Sequence, residues 1–558
     1  MRSEKWEVIS VNRHNHFHKR QGSIVMVLLC ALCLVAVAAP ALQPPPDDSK
    51  RVYLVHADQL FYDINRNDGA QVLTGSVEFE HEGARLYCDS ANFYQDSNSF
   101  EAWGNVKMVQ GDTLSLTGDY GYYDGVSMCM EAKVFTSDKQ VVLKNRTTTL
   151  YTDTLHFDRI AKMGYYDEGG KLVDKTTTLT SVHGEYHTDT KDAFFNDNVK
   201  MVDKDFTLTT NDLEYNTETT LAHIVGPSDI YSGDSHIYSE MGYYNTTTQM
   251  ADLLNRSRLD NDDRTLTGDS LHYEGKTAIS EAFGNVVFHD ENNKNVLYCN
   301  YGFYNDSTGY AMCTDSAMVV DYSQRDSLYM HGDTIKVFTY NQNTDSVYRD
   351  IHIYNKVRAY KIDLQGVCDS LVYSGKDSCM TMYKDPIVWN NNQQLLGELI
   401  EVFMKDSVVD RAHVINQAFS IENLKERDMY NQVSSKEMFA FFREGEIHEA
   451  QAVDNVLIVY YPIDDSDSSY VGMVSMETSK LRMFMEKQKL ERIWAPKSEG
   501  TMYPLTQIPP AKRYLEGFAW FDYVRPLSKE DIFIWRPKRA GSELKTQKRR
   551  MPTATTEL

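Results

Sequence analysis

Positive charge is scarce in this 558-residue chain: 57 Lys and Arg stand against 80 Asp and Glu, a formal net charge of −23. A deficit of that size argues against nucleic acid as a partner, because phosphate binding needs clustered cations. Proline is scarce too, at 14 residues, and long Ala/Leu/Glu/Lys stretches of helical character are missing. After residue 41 there is no apolar run long enough to span a bilayer as a helix. Beyond residue 41 no cysteine lies in a C-x-x-C pair, which excludes zinc ribbons and thioredoxin-like redox motifs there. G-x-S-x-G, P-loop, G-x-G-x-x-G and H-E-x-x-H motifs are all absent. What is abundant is aromatic and β-prone: aromatics make up 12% of the chain, with 36 Tyr. Tyr, Thr and Val favour strands, and 42% apolar residues suffice for a packed core.

The N-terminus has export character. Arg2, Lys5, Arg13, Lys19 and Arg20 precede an apolar run from Ile24 to Ala39 that ends in small residues, the order of a secretory signal peptide. Residues 1–41 are therefore expected to be a signal peptide, with an uncleaved signal anchor as the competing reading, and 42–50 a proline-rich linker. His14, His16 and His18 lie within this leader, so no metal site is expected there. Six cysteines remain beyond it. Cys299/Cys313 and Cys368/Cys379 flank Tyr304 and Tyr373 at similar offsets, and at least one disulfide is expected among them; small buried thiols are the alternative.

A repeat dominates the rest. Asp, a short spacer and an aromatic recur, as in Asp89–Tyr94, Asp119–Tyr123, Asp212–Tyr215 and Asp269–Tyr273. The aromatic anchors fall at 62, 94, 123, 157, 186, 215, 244, 273 and 304. Between them lies a second element, Gly75-Ser-Val77-Glu-Phe79, Gly104-Asn-Val106-Lys-Met108, Asp197-Asn-Val199-Lys-Met201 and Gly284-Asn-Val286-Val-Phe288. About thirty residues per unit holds two or three short strands and tight turns but no crossover helix. Units that cannot bury their apolar face alone stack into a solenoid. The recurring Asp is expected to be structural, capping strand entries through backbone N–H groups; a residue present in nearly every unit is no candidate for catalysis.

These motifs and the leader together resemble the OstA-like family, the lipopolysaccharide-transport group of LptA and the LptD N-terminal domain. The resemblance covers residues 51–425 well and 426–495 only as degenerate repeats. It implies an all-β, elongated β-jellyroll or β-solenoid, here of about thirteen stacked repeats. It also implies a non-enzymatic periplasmic carrier or bridge segment without cofactor or metal, shielding lipopolysaccharide or lipid A acyl chains in an apolar groove. Its implied partners are further lipopolysaccharide-transport proteins joined by edge-strand pairing, with association to the inner or outer membrane left open. The alternative is a structural or glycan-binding β-solenoid of the cell surface. Strand alternation assigns the groove lining to Val77, Phe79, Leu86, Val106, Met108, Leu114, Leu116, Val199, Met201, Phe206, Leu208, Val286, Phe288 and Val296. The same residues filling a closed core is the plainer alternative. Residues 496–536, rich in Pro and aromatics, are expected to cap the last open strand edge, and 537–558 to form a basic, disordered tail.

Overall fold

The computed structural model describes residues 50–539, except 63–68, 234, 262, 343, 406–407, 425–427, 444–445, 465–468 and 487–488. The expected leader at 1–41, nearly all of the linker at 42–50 and nearly all of the 537–558 tail lie outside the described residues. Among the described residues, 38 strands join in one long antiparallel sheet and no α-helix forms. No described helix is long and apolar enough to cross a membrane.

The chain meanders. Gln71–His81 pairs with Ala84–Tyr94, which pairs with Ser99–Gln110, which pairs with Leu114–Asp124. Period-two alternation, buried and exposed by turns, drives each pairing. These strands are longer than the short ones expected per unit, and most bend at mid-length. In Ser99–Gln110 the register slips between Trp103 and Val106, where Gly104 and Asn105 both take positive φ, 76° and 46°. The same two-residue left-handed step recurs at Gly75-Ser76, Asp197-Asn198, Asn255-Arg256, Gly284-Asn285, Asn355-Lys356, Asn416-Gln417 and Asp454-Asn455. Gly, Asn and Asp tolerate this conformation best. The Gly-Asn pair of the repeat is thus a bulge inside a strand. In some strands the bend becomes a full break: Leu114–Asp124 pairs through one half with Cys129–Lys133 and through the other with Val141–Asn145.

Each bend divides a strand between two walls that face each other. Phe79 on the first wall stacks on Phe100 of the second, ring centroids 4.2 Å apart. The recurring Asp sits at the bend of the neighbouring strand. It accepts mostly from corner side chains, Asn105 Nδ2 to Asp89 and Asn285 Nδ2 to Asp269, both 2.9 Å, and Lys384 Nζ to Asp369, 2.8 Å; a backbone N–H, that of Phe135, donates to Asp119 at 3.5 Å.

The aromatic C-terminal segment packs on a strand face. From Leu505 to Arg539 it runs back across the outer side of the first wall. Buried Gln432 donates to the Arg513 carbonyl and accepts from Leu515 N–H; buried Gln394 does the same for Ala519 and Phe521. Each amide thereby imitates one rung of a β-ladder. Trp389, Phe419, Ile421, Phe521 and Val524 form the core beneath.

The expected disulfides are not formed: the six described cysteines are free. Cys379 stands opposite Ser374, six residues along the strand from Cys368, while Cys313 stands opposite Gly302, three residues from Cys299. A hydrogen bond with Cys299, together with burial, pushes the Cys313 thiol well above its ordinary range.

Candidate functional site: an apolar trough between two walls

Because pairing within the first wall is continuous from strand to strand, one apolar row crosses it from Leu54 to Met330. It begins Leu54–Phe79–Leu86–Met108–Leu116–Leu143 and passes through Leu179, Met201, Leu208 and Ile230. It continues Ile237–Leu259–Leu266–Phe288–Leu297–Val319–Met330. A parallel row crosses the second wall and is made largely of the repeat's aromatic anchors alternating with small residues: Tyr186–Ala193–Tyr215–Ala222–Tyr244–Ala251–Tyr273–Ser280–Tyr304–Ala311. The tyrosine spacing measures two strands and their turns, so every anchor falls on the same rung position. A third row beside the bends, with Leu213, Ile224, Leu253, Leu271, Ile335 and Ile353, is buried throughout and forms the floor.

The two walls do not stay closed. From Phe79 through Leu208 the first-wall row is at most 2% exposed. Ile230 is 7% exposed, and every member from Ile237 to Met330 is half-buried. The second wall changes at the same level: Tyr215 is 2% exposed, Tyr244 is half-buried and Tyr273 is 41% exposed. The same kinds of side chain are therefore sealed in a stem up to about Ile230 and only half-buried in the stretch beyond it, here called the trough.

Val77, Phe79, Leu86, Val106, Met108, Leu116, Val199, Met201, Phe206 and Leu208 lie in the stem, all buried, with Leu114 packed partly buried against them. Val286 is buried on the trough floor, and Phe288 lines the trough. Val296 stands opposite His289, out of the row; the row residue is Leu297, opposite Phe288. The four residues 291–294 between the paired ends Asp290 and Asn295 set this register, which alternation alone did not give. Also missed were the trough residues Ile237, Leu259 and Leu266, whose alternation was visible in the sequence.

Rim contacts accompany the closure. Tyr123 donates its hydroxyl to His81 Nδ1, 2.7 Å, and accepts from Arg159 Nη1, 2.8 Å. Asn145 Nδ2 donates to the Tyr186 hydroxyl, 3.1 Å, and Tyr215 donates to Asp174, 3.4 Å. Tyr244 meets Phe206 edge to face at 4.4 Å, and Gln249 Nε2 donates to Asp205, 2.8 Å. Burial pushes the Tyr215 and Tyr244 hydroxyls up to about 12, so both remain protonated donors. Among the described residues, no rim hydrogen bond joins the walls beyond Gln249.

The outer faces are polar. Histidines there sit singly against carboxylates, His223 with Glu214 and His272 with Asp252. No group of three or more metal-ligating side chains is found among the described residues. An open recess of about 760 Å³, lined by His236, Tyr238, Arg256, Arg258 and Asp269 among others, lies on this outer face rather than in the trough.

The family model described as OstA-like protein matches residues 49–212 and 215–329. The crystal structure of LptH is also similar, at 10% identity over 25% of this chain and 95% of that chain, with a TM-score of 0.20. Its title describes LptH as the LptA-homologous periplasmic component of the conserved lipopolysaccharide transport device from Pseudomonas aeruginosa. No curated protein matches.

Proposed function

Since the chain belongs to the OstA-like family, we propose that it is an exported, non-enzymatic component of lipopolysaccharide transport that shelters acyl chains in the trough between its walls. The observation that carries this reading is the continuous apolar row that is only half-buried from Ile237 to Met330. Partly exposed apolar surface at seven consecutive rungs is costly unless something covers it. Each CH₂ withdrawn from water is worth about 0.8 kcal/mol, so a fourteen-carbon tail gains on the order of 10 kcal/mol in such a track.

Edge pairing supplies the partner contacts in this reading. Among the described residues, Tyr53–His56 and Gln59–Tyr62 have one strand partner, Gln71–His81. At the other end, again among the described residues, Lys489–Trp494 and Glu499–Tyr503 have one strand partner, Met473–Glu486. Such edges accept a further strand by β-augmentation. The alternative, a glycan-binding surface protein, draws its support from the polar outer recess.

A photo-crosslinking residue at Phe288, inside, and another at Tyr298, outside, separate the two in exporting cells. Lipopolysaccharide captured at Phe288 and not at Tyr298 supports transport. Capture at neither, with glycan retained by the purified protein, rejects it.

A further inference from the structure

We infer that the tyrosine clasps set how far acyl chains can extend along the molecule: lipid occupies the row from Ile237 onward and is excluded from the stem before Ile230. This rests on the lipid-sheltering reading and adds a boundary to it. Composition does not create the boundary, since Leu179, Met201 and Leu208 are as apolar as Leu259, Leu266 and Leu297. The clasps do.

They share one geometry. Tyr123, Tyr186 and Tyr215 each cross to a polar residue at the end of a first-wall strand 41 or 42 positions earlier, His81, Asn145 and Asp174. Tyr244 closes the last level on Phe206. The next two anchors do not cross. Tyr304 donates to Asp306 on its own wall, 2.9 Å, and Tyr273 has no hydrogen-bond partner among the described residues. Inside the clasped region the space is already filled, with Phe79 on Phe100 and the second-wall anchors Phe157, Tyr186 and Tyr215 buried. A well-packed interior has no room for an added chain. The rim hydroxyls are therefore positioning groups: each one holds the walls at closing distance for its rung.

Photo-leucine, which replaces leucine with little change of shape, tests this in the intact protein. The protein is incubated with radiolabelled lipid A, irradiated, and the adducts mapped by mass spectrometry. Labelling at Leu259, Leu266 and Leu297 should exceed that at Leu172, Leu179 and Leu208 by at least about tenfold, the ratio that a modest exclusion free energy already gives. In the Tyr186→Phe/Tyr215→Phe variant, adducts should extend to Leu208. If that variant does not fold, the unmodified protein decides alone. Equal labelling of both groups overturns the boundary while leaving the lipid reading intact. Labelling of neither overturns the lipid reading, and the boundary with it.

Discussion

Asn105 donates its side-chain N–H to the Asp89 carboxylate over 2.9 Å, and the corner between them is the unit from which both walls are built. Gly104 beside it has φ +76°, and a Cβ there would lie 2.5 Å from Asp89 Oδ2. Gly104→Ala therefore meets both backbone strain and a collision, and is expected to cost about 1–3 kcal/mol. Adding Asp89→Ala removes the carboxylate but leaves the residue-89 Cβ 3.0 Å away and the φ unchanged, so the double variant should recover only part of the loss. Urea unfolding midpoints measure both; an unchanged midpoint for Gly104→Ala would refute the account of the corner.

The boundary between stem and trough separates stability from binding. Leu179 is fully buried and Leu266 is not. Leu179→Ala should cost about 2–5 kcal/mol, as for other sealed leucines, while Leu266→Ala costs clearly less. Lipid A retention should run the other way, falling for Leu266→Asp and holding for any Leu179 variant that folds.

The first clasp depends on pH. Tyr123 can donate to His81 Nδ1 only while that nitrogen is unprotonated, with His81 Nε2–H donating to the Lys50 carbonyl. Burial lowers the His81 pKa, and Arg159 adds to this, against the Lys50 hydrogen bond and Glu82. The unfolded chain takes up its proton at about pH 6.5, so the stabilisation is complete above that and is lost as pH falls through it towards the folded value. Tm should therefore drop more between pH 7.5 and 5 in the unmodified protein than in His81→Gln. Equal drops would remove His81 as the cause.

The C-terminal strap hangs on glutamine amides. Gln394 donates to the Ala519 carbonyl and accepts from Phe521 N–H and Trp389 Nε1–H, at 2.8, 2.8 and 3.1 Å. Gln394→Ala leaves these buried groups without partners, at about 1–3 kcal/mol each. Trypsin should then cut at Lys512, Arg513 and Lys529 much sooner, whereas exposed Gln393→Ala should leave the digest unchanged.

Much of this architecture was legible in the sequence, because strand period and repeat length are both printed in it. The 29-residue steps between Tyr186, Tyr215, Tyr244 and Tyr273 announced a stacked β fold, and the alternation around Val106 and Met108 gave the inward face. The register at Val296 was not legible, since one residue more or less in a turn exchanges the faces. Nor was the opening: Ile230 and Ile237 are chemically alike, and what differs is whether a residue such as Asn145 or Asp174 stands across the rim. Asp, Asn and His in an acidic, Asn-rich chain carry no mark of that role. The strap was read as a cover for a strand edge because its aromatics signalled packing without naming a surface; Gln365, Gln394 and Gln432, which select the outer face, are unremarkable in sequence.

Native mass spectrometry of the protein purified from exporting cells tests the central claim most directly. The account predicts a bound species with the mass of an acylated saccharolipid, lost in Phe288→Asp while the protein stays folded. A ligand-free spectrum, or an adduct of the same mass and abundance in Phe288→Asp, would contradict it.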